Sequence, residues 1–210
     1  MVDAKYFEHV RPEMIRYLPH DAKRVLDVGC GAGAFSASIK EHRDIEIWGL
    51  EIDEKAAATA SQRLDRVLTG DAVSSLSQLP DASFDCVFCN DVLEHLIDPE
   101  QFLVGVLAKL SSNGMIIASI PNVRYFHHLR ALVLHGRWDY VEEGILDRTH
   151  LRFFTRSSIL EMFQRCGYRI VAIDGINPTR SLYFRLFNLL TFGKFSEMRF
   201  LQFACVALPR

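Results

Sequence analysis

The sequence predicts an α/β fold built on a doubly wound, mostly parallel sheet, and three observations support this prediction. Short apolar runs alternate with segments of helical periodicity from residue 25 to Pro121. A turn with three glycines joins the first apolar run to the first helical segment. The chain of 210 residues, 49% apolar and 24% charged, suits one domain with a sizeable core.

The predicted elements follow one another in regular order after a short helix at residues 12–18, where Pro12 suits a first helical turn. Strands are expected at residues 25–28, 45–50, 66–69, 84–89, 115–120, 168–174 and 203–208. Helices are expected at residues 34–41, 54–64, 98–110, 123–134 and 155–166, with a turn at residues 111–114. Up to the fifth strand, this alternation of strand and helix is typical of a parallel sheet.

The glycines of the turn are Gly29, Gly31 and Gly33. Glycine is needed where φ is positive or where a ligand must approach the main chain closely. The helix that begins at Ala34 presents its free N–H groups to whatever lies on the turn. The turn therefore predicts a small, partly anionic ligand.

Two cofactors fit a turn of this kind, and Asp27 separates them. Gly29, Gly31 and Ala34 satisfy the dinucleotide fingerprint, and Glu51 follows at the distance of a ribose-binding acid. A carboxylate at Asp27 would repel the two phosphates of a dinucleotide but attract a ligand that carries an ammonium and a sulfonium. S-adenosylmethionine is such a ligand, so Asp27 disfavours a nicotinamide oxidoreductase.

Asp27 and the three glycines resemble the first motif of class I S-adenosylmethionine-dependent methyltransferases, and further motifs follow in that family's order. Residues 49–53 resemble the strand that ends in a ribose-binding acid, residues 69–72 the adenine-binding motif and residues 84–95 the fourth strand. The resemblance implies a Rossmann-like, seven-stranded sheet whose last strand is antiparallel between the fifth and sixth, with helical insertions after strands 5 and 6. It also implies S-adenosylmethionine as cofactor and S-adenosylhomocysteine as product. The implied cofactor contacts are Asp27, Gly29, Cys30, Gly31, Gly33, Glu51, Ile52, Asp71, Ala72 and Asn90.

Several polar residues of these motifs have a competing structural interpretation. Glu51 either accepts hydrogen bonds from both ribose hydroxyls or is a loop acid without a ligand. Asp71 either accepts from the adenine amine, while the backbone of Ala72 contacts the ring, or it caps a helix. Asp53 is expected to cap the helix that follows it. Asn90 is expected at the carboxyl end of the fourth strand, beside the glycine turn.

Residues 122–155 depart from the alternation of strands and helices, and long loops of this kind are often functional. We predict that they cover the methyl acceptor, together with a second insertion at residues 178–198, around a core of residues 20–175 and 200–210. A hydroxyl acceptor loses its proton as it attacks, so a base that titrates near neutral pH would help. The candidate bases, in order of preference, are His150, His127, His128 and His95. Each has a packing or surface role as its alternative.

Residues 182–195 are rich in aromatic side chains, with Arg185 and Lys194 among them. The segment is too short to span a membrane. Three interpretations remain open: it lines an apolar acceptor pocket, it forms a homodimer face, or it lies on a membrane surface.

Charge and hydropathy exclude several classes of protein. A net charge of −2 and a pI of about 6.4 leave no basic footprint, so no nucleic-acid partner is expected. Residues 1–17 carry charges throughout, and no apolar run reaches the ~18 residues of a transmembrane segment. We therefore expect a cytoplasmic protein without a transmembrane segment.

The five cysteines are interpreted as core residues rather than as a metal or redox site. Cys86 and Cys89 form a C-x-x-C pair in a predicted strand, where residues three apart point to opposite faces. A zinc site would need a second ligand pair at matching spacing. Because no acids and histidines show metal-ligand spacing either, the sequence predicts no metal.

The predicted function is methyl transfer from S-adenosylmethionine to an oxygen of a small molecule, with a sugar or glycan precursor as the first choice of acceptor. Residues 147–155 contain Asp-Arg-Thr-His followed by Phe-Phe-Thr, and resemble methyltransferases of glycan and cell-surface polysaccharide pathways. In part they also resemble quinone-precursor methyltransferases. The alternatives are an aromatic or lipid-like acceptor and a non-catalytic module that binds S-adenosylmethionine.

Overall fold

A computed structural model describes residues 10–210, which fold around one seven-stranded sheet of order β3-β2-β1-β4-β5-β7-β6. The part of the sequence prediction that concerns residues 1–9 therefore lies outside the described residues. The strands are β1 Arg24–Val28, β2 Glu46–Glu51, β3 Arg66–Thr69, β4 Phe84–Asn90, β5 Leu110–Pro121, β6 Tyr168–Pro178 and β7 Phe200–Pro209.

The direction of the strands follows the connections between them. Strands β1 to β5 are parallel, and Val28 at the end of β1 is opposite Leu50 of β2 and Cys89 of β4. Strand β7 runs antiparallel between β5 and β6. The order reverses at β1, so the carboxyl ends of β1 and β4 form the point at which ligands of open α/β sheets bind. This topology confirms the predicted fold class.

Helices cover both faces of the sheet, as a doubly wound fold requires. They are α1 Pro12–Ile15, α2 Ala34–Lys40, α3 Glu54–Ala60, α4 Ala72–Ser75, α5 Pro99–Leu107, α6 Phe126–His135, α7 Arg156–Arg165 and α8 Leu182–Leu190. One apolar cluster packs α1, α2 and α3 against the sheet, and a second packs α5 and α7 against its opposite face. Within β4, Cys86 belongs to the first cluster and Cys89 to the second. The predicted separation of the two thiols onto opposite faces is therefore confirmed, and both are free and buried.

Most helices end earlier in the structure than the apolar periodicity predicts. Helix α6 is the exception, because it runs from Phe126 to His135 where residues 123–134 were expected. The helix expected over residues 54–64 ends at Ala60, and the one expected over residues 98–110 ends at Leu107. After Ala60 the chain forms a 3₁₀-type hydrogen bond between residues three apart, in which the amide of Arg63 donates to the carbonyl of Ala60 at 2.9 Å. The capping residues predicted for α3 and α7 are observed. Asp53 accepts hydrogen bonds from two amides of α3, and Thr155 forms a capping box with Ser158 at the start of α7.

The turn expected at residues 111–114 lies within β5 instead. Phe84 is opposite Leu110 and Cys86 is opposite Met115, so six residues of β5 face three of β4. The extra residues form an irregularity within a continuous strand. Strands β6 and β7 are also longer than expected, because they pair with each other from Tyr168 to Pro178, and periodicity does not show such pairing.

The two insertions pack against each other through α6 and α8. Phe126 of α6 and Phe184 of α8 meet edge to face with ring centroids 5.3 Å apart, and Met198 completes a small apolar cluster. The outer side of α8 leaves several large apolar side chains exposed, namely Leu182, Tyr183, Leu186, Leu189 and Leu190. Within residues 10–210, none of the helices has both the length and the apolar character needed to cross a bilayer. The acceptor-covering role of the insertions stays a prediction.

Replacing Tyr168 with phenylalanine is expected to lower the free energy of unfolding by about 1 kcal/mol, because a buried hydrogen bond is lost. The Tyr168 side chain is fully buried, and its hydroxyl donates to the carbonyl of Leu103 in α5 at 2.7 Å. Urea denaturation followed by circular dichroism measures the change. Tyr183→Phe is the matched control, because Tyr183 is exposed and its substitution should leave stability unchanged. Equal stability of both variants and the parent would contradict this account of the hydroxyl.

Candidate cofactor and acceptor site

The glycine turn has the backbone conformation that its sequence predicts. Gly29, Gly31 and Gly33 have φ angles of 67°, 55° and 82°, in the left-handed region that favours glycine. The amides of Gly29 and Cys30 both donate to the carbonyl of Leu50, at 2.7 and 3.2 Å. A Cβ atom on Gly29 would lie 2.8 Å from a methyl group of Val92, so a side chain there would push the turn away from the end of β4.

Cys30 lies beneath this turn rather than in a reactive environment. A Cβ atom on Gly49 of β2 would lie 2.6 Å from the Cys30 sulfur, so the missing side chain makes room for the thiol. Burial, followed by the charges of Asp27 and Glu51, raises the pKa of Cys30 far above its ordinary value. The thiol therefore stays neutral, and Cys30 has a packing role at the turn.

Glu51 connects the end of β2 to the glycine turn. Its buried carboxylate accepts from the Gly31 amide at 2.8 Å through Oε2 and from the Asp53 amide at 2.9 Å through Oε1. Each carboxylate oxygen has a second lone pair, so both retain the capacity to accept from a ligand hydroxyl. The next residue, Ile52, is 70% exposed beside it.

Asp27 is buried near the end of β1 and, among residues 10–210, forms a side-chain hydrogen bond with one residue. The Ser36 hydroxyl of α2 donates to its Oδ2 at 2.7 Å. Burial raises the pKa of Asp27 to about 7, with a further contribution from the negative charge of Glu51, although the bond from Ser36 opposes the rise. Sequence reasoning did not identify Ser36, which faces Asp27 only because α2 folds back on β1.

Asp71 follows β3 and acts as the N-cap of α4, whose first residue is Ala72. Its Oδ1 accepts from the amides of Val73 and Ser74, both at 3.0 Å. The helix-cap interpretation is thus confirmed, whereas the adenine contact stays a prediction. The two are compatible, because these bonds use only Oδ1 of the carboxylate.

Asn90 ends β4 at the strand edge where the order of the sheet reverses. Both of its side-chain polar atoms are buried and have no hydrogen-bond partner among residues 10–210. Buried amides nearly always find partners within the protein or from bound molecules. The unpartnered Asn90 amide and the bare glycine turn therefore fit a polar ligand at the ends of β1 and β4.

The four candidate histidines fall into two groups, and only His95 and His150 lie together. Their rings meet edge to face with centroids 4.6 Å apart. His127 instead hydrogen-bonds Thr179 at 2.9 Å, and His128 packs on Trp138 with ring centroids 4.7 Å apart. Burial lowers the pKa of His128. The catalytic roles of all four stay predictions.

A fully buried carboxyl group that sequence reasoning passed over joins the histidine pair. Glu94 precedes His95 in a single 3₁₀ turn, and its Oε1 lies 3.9 Å from Nε2 of His150. Burial, then repulsion from Asp91, raises the pKa of Glu94 well above its ordinary value. The reason given above for expecting no metal, that no acids and histidines are suitably arranged, therefore does not hold in the folded chain. Residues 94 and 150 are too far apart in sequence for spacing to reveal their contact.

Two surface cavities lie apart from the glycine turn. One, of about 680 Å³, lies between α5 and α7 and is lined by Val104, Phe154 and Met162 among others. The second, of about 410 Å³, lies beside α8 and is lined by Phe184 and Asn188 among others. None of the predicted cofactor residues lines either cavity.

The sheet order, the glycine turn and the acids that end β1 and β2 define an S-adenosylmethionine-dependent class I methyltransferase. A family model described as a methyltransferase domain matches residues 2–173, and the chain belongs to that family. S-adenosylmethionine is therefore the cofactor. The chain also resembles the crystal structure of an S-adenosylmethionine-dependent methyltransferase from Archaeoglobus fulgidus, with a TM-score of 0.73 and 23% identity over 98% of this chain and 94% of that one.

Curated relatives give a finer comparison. The chain is 30% identical over 168 residues to the ubiquinone biosynthesis O-methyltransferase of Idiomarina loihiensis. The aligned region covers 75% of this chain and 67% of that protein. It is 30% identical over 172 residues to the protein of the same description from an Azoarcus species, covering 77% of this chain and 71% of the relative.

Proposed function

We propose that the protein transfers the methyl group of S-adenosylmethionine to a hydroxyl oxygen of an aromatic, lipid-like acceptor of the quinone-precursor class. The observation that carries this proposal is the similarity to two ubiquinone biosynthesis O-methyltransferases at 30% identity. It favours the acceptor that ranked second in the sequence analysis over the sugar or glycan precursor that ranked first.

Cofactor binding is assigned to the ends of the first four strands. Asp27 holds the ammonium and Glu51 the ribose hydroxyls, while Asn90 contacts the methionine portion. Asp71 and the backbone of Ala72 contact the adenine. The remaining contacts come from the turn and the residue after Glu51, that is Gly29, Cys30, Gly31, Gly33 and Ile52.

The cofactor supplies a methyl group already activated by the positive charge on sulfur. The chain must chiefly align the acceptor and exclude water. The apolar cluster between α6 and α8 supports an apolar acceptor, since Phe126, Phe184 and Phe187 bring aromatic faces together there.

A hydroxyl acceptor must also lose its proton, and we assign that step to the neighbourhood of His95 and His150. Burial and the nearby His150 lower the pKa of His95, so its ring is neutral at pH 7. A neutral imidazole has one unprotonated nitrogen that can accept a proton or bind a cation. His127 and His128 remain the alternatives on α6.

The test is a transfer assay with radiolabelled methyl on S-adenosylmethionine and three acceptor sets: prenylated dihydroxybenzenes, nucleotide sugars and simple amines. Label is expected on a phenolic oxygen of the first set. Label only on a sugar or an amine would overturn the proposed acceptor. Calorimetric titration of the same preparation with S-adenosylmethionine and NADH separates the steps, because cofactor binding without any transfer would indicate a non-catalytic module.

A further inference from the structure

Glu94, His95 and His150 form a compact group of metal-ligating side chains at the end of β4. One potential ligand atom from each residue lies within 4.8 Å of the other two. His150 is 9% exposed and Glu94 is 1% exposed, so the group is largely shielded from water. Val92, two residues before Glu94, contacts the glycine turn, which places the group beside the proposed cofactor site.

The hydrogen bond at the far side of His150 fixes which of its ring nitrogens is free. Nδ1 lies 3.0 Å from the backbone carbonyl of Ile145, which only accepts hydrogen bonds. Nδ1 must therefore carry the proton and donate. In a neutral ring the unshared electron pair is then on Nε2, which is the nitrogen that faces Glu94.

The same argument holds for His95 through one intermediate hydroxyl. Thr149 donates its hydroxyl hydrogen to Oδ1 of Asp147 at 2.6 Å. With its only hydrogen committed, the Thr149 oxygen accepts from Nδ1 of His95, which lies 3.0 Å away. His95 is thus also held with Nε2 unprotonated. A carboxylate or carbonyl behind each imidazole is the usual support for histidines that bind a metal.

Glu94 supplies the third feature, a buried carboxyl group whose oxygens have no hydrogen-bond partner among the described residues. Leaving a buried carboxyl group unpaired is costly unless a cation or a donor meets it. Neither histidine in the tautomer above can donate to Glu94 from Nε2, so the three residues do not satisfy one another.

We propose that Glu94, His95 and His150 bind a divalent first-row transition-metal ion through one carboxylate oxygen and two Nε2 atoms. Three protein ligands with an open position are typical of catalytic zinc sites, and this mixed nitrogen and oxygen set favours such ions over Mg²⁺. Bonds of about 2.1 Å place neighbouring ligands of a tetrahedral ion roughly 3.4 Å apart. Small side-chain shifts from the present distances achieve this.

Asp91 is not part of this ligand set. Its Oδ2 pairs with Arg11, and its Oδ1 accepts from Ser119 at 3.1 Å and from Gln202 at 2.7 Å. Both oxygens are therefore occupied, in contrast to those of Glu94. With the ion bound, neither Nε2 is free to accept a proton. The ion would instead bind the hydroxyl oxygen of the methyl acceptor at its open position and lower the pKa of that hydroxyl, so that the proton leaves to water. This role rests on the proposed function, whereas metal binding itself does not.

The test is metal binding by the full chain after treatment with a chelator. Calorimetry with ZnCl₂, MnCl₂ and MgCl₂ measures the affinity for each ion. Elemental analysis gives the number of ions per chain, and the visible absorption spectrum of a Co²⁺-loaded sample reports the ligands around the ion. The parent should bind one ion per chain, with Zn²⁺ tighter than Mn²⁺ and Mg²⁺ weakest. Glu94→Gln and His150→Gln should each weaken Zn²⁺ binding by about 100-fold or more, and Thr149→Val by roughly 10-fold to 100-fold.

His42→Gln is the matched control, because His42 is an exposed histidine whose loss should not change metal binding. Thermal melts of each variant verify folding, and calorimetry with S-adenosylmethionine verifies the cofactor site. If the parent binds no stoichiometric metal, or if Glu94→Gln and His150→Gln retain full affinity, the proposal is wrong. If the metal-free parent still binds S-adenosylmethionine and transfers the methyl group, the proposed function holds even though the metal proposal fails.

Discussion

Replacing Glu51 with alanine is expected to raise the dissociation constant for S-adenosylmethionine by about 100-fold. The carboxylate is proposed to accept from both ribose hydroxyls, and a hydrogen bond to a charged group contributes about 1.5 to 3 kcal/mol. The same carboxylate accepts from the Gly31 amide at 2.8 Å. The substitution therefore removes ligand contacts and also frees the turn on which the ligand rests.

Isothermal titration calorimetry measures this effect, with Glu54→Ala as the matched control. Glu54 is an exposed acid in the first turn of α3, so its loss changes the net charge equally without touching the turn. Glu51→Gln keeps the shape of the side chain but only one acceptor oxygen, and an intermediate loss of about 10-fold is expected. A thermal melt of each variant verifies that the sheet remains intact. Equal affinities for Glu51→Ala and Glu54→Ala would remove Glu51 from the binding site.

Most of the sheet was predictable because local sequence determines it. Strand β3 was predicted at its observed bounds, and the apolar runs located β1, β2 and β4 to within one residue at each end. The position of β7 between β5 and β6 came only from family resemblance, since periodicity carries no information on which strands pair. The bulged start of β5 was missed for the same reason, because it depends on the register with Phe84.

The candidate site divides in a similar way. Asp27, Glu51 and Asn90 follow from their places at strand ends, where a parallel sheet brings them to one edge. The contact between Glu94 and His150 depends on the path of the loop after α6, which no local pattern determines. The contact between the Thr149 hydroxyl and His95 could not be predicted for the same reason. Contacts made by irregular segments are the part of a site that sequence reasoning predicts least.

Replacing Asp27 with asparagine is expected to weaken S-adenosylmethionine binding at pH 8 by roughly 10-fold to 100-fold and to abolish its pH dependence below pH 7. Only the ionised carboxylate attracts an ammonium group. Because the pKa of Asp27 is raised to about 7, the parent should lose affinity by about 10-fold for each pH unit below that value. Calorimetry between pH 5 and pH 8 gives both profiles. A parallel slope in the two proteins would mean that another group governs the pH effect.

The same substitution should stabilise the protein without its cofactor, which separates binding from folding. In the unfolded chain an aspartate has a pKa of about 3.9, whereas in the folded chain the pKa of Asp27 is about 7. Below pH 4 both states hold the proton and Asp27 has no effect on stability. Between these two pKa values only the unfolded state is ionised, so stability falls as the pH rises, by up to about 4 kcal/mol above pH 7.

Asparagine cannot ionise, and its carbonyl oxygen can still accept from the Ser36 hydroxyl. Asp27→Asn is therefore expected to exceed the parent in unfolding free energy by about 2 to 4 kcal/mol at pH 8 and to match it near pH 4. Urea denaturation at both pH values measures the difference. The Ser36→Ala substitution removes the hydroxyl that donates to Asp27. It should destabilise the parent more than it destabilises the Asp27→Asn variant. A less stable Asp27→Asn protein at pH 8 would show that the buried carboxylate stabilises the fold. Greater stability with weaker binding would instead mean that the chain keeps a costly buried acid because its ligand requires the charge.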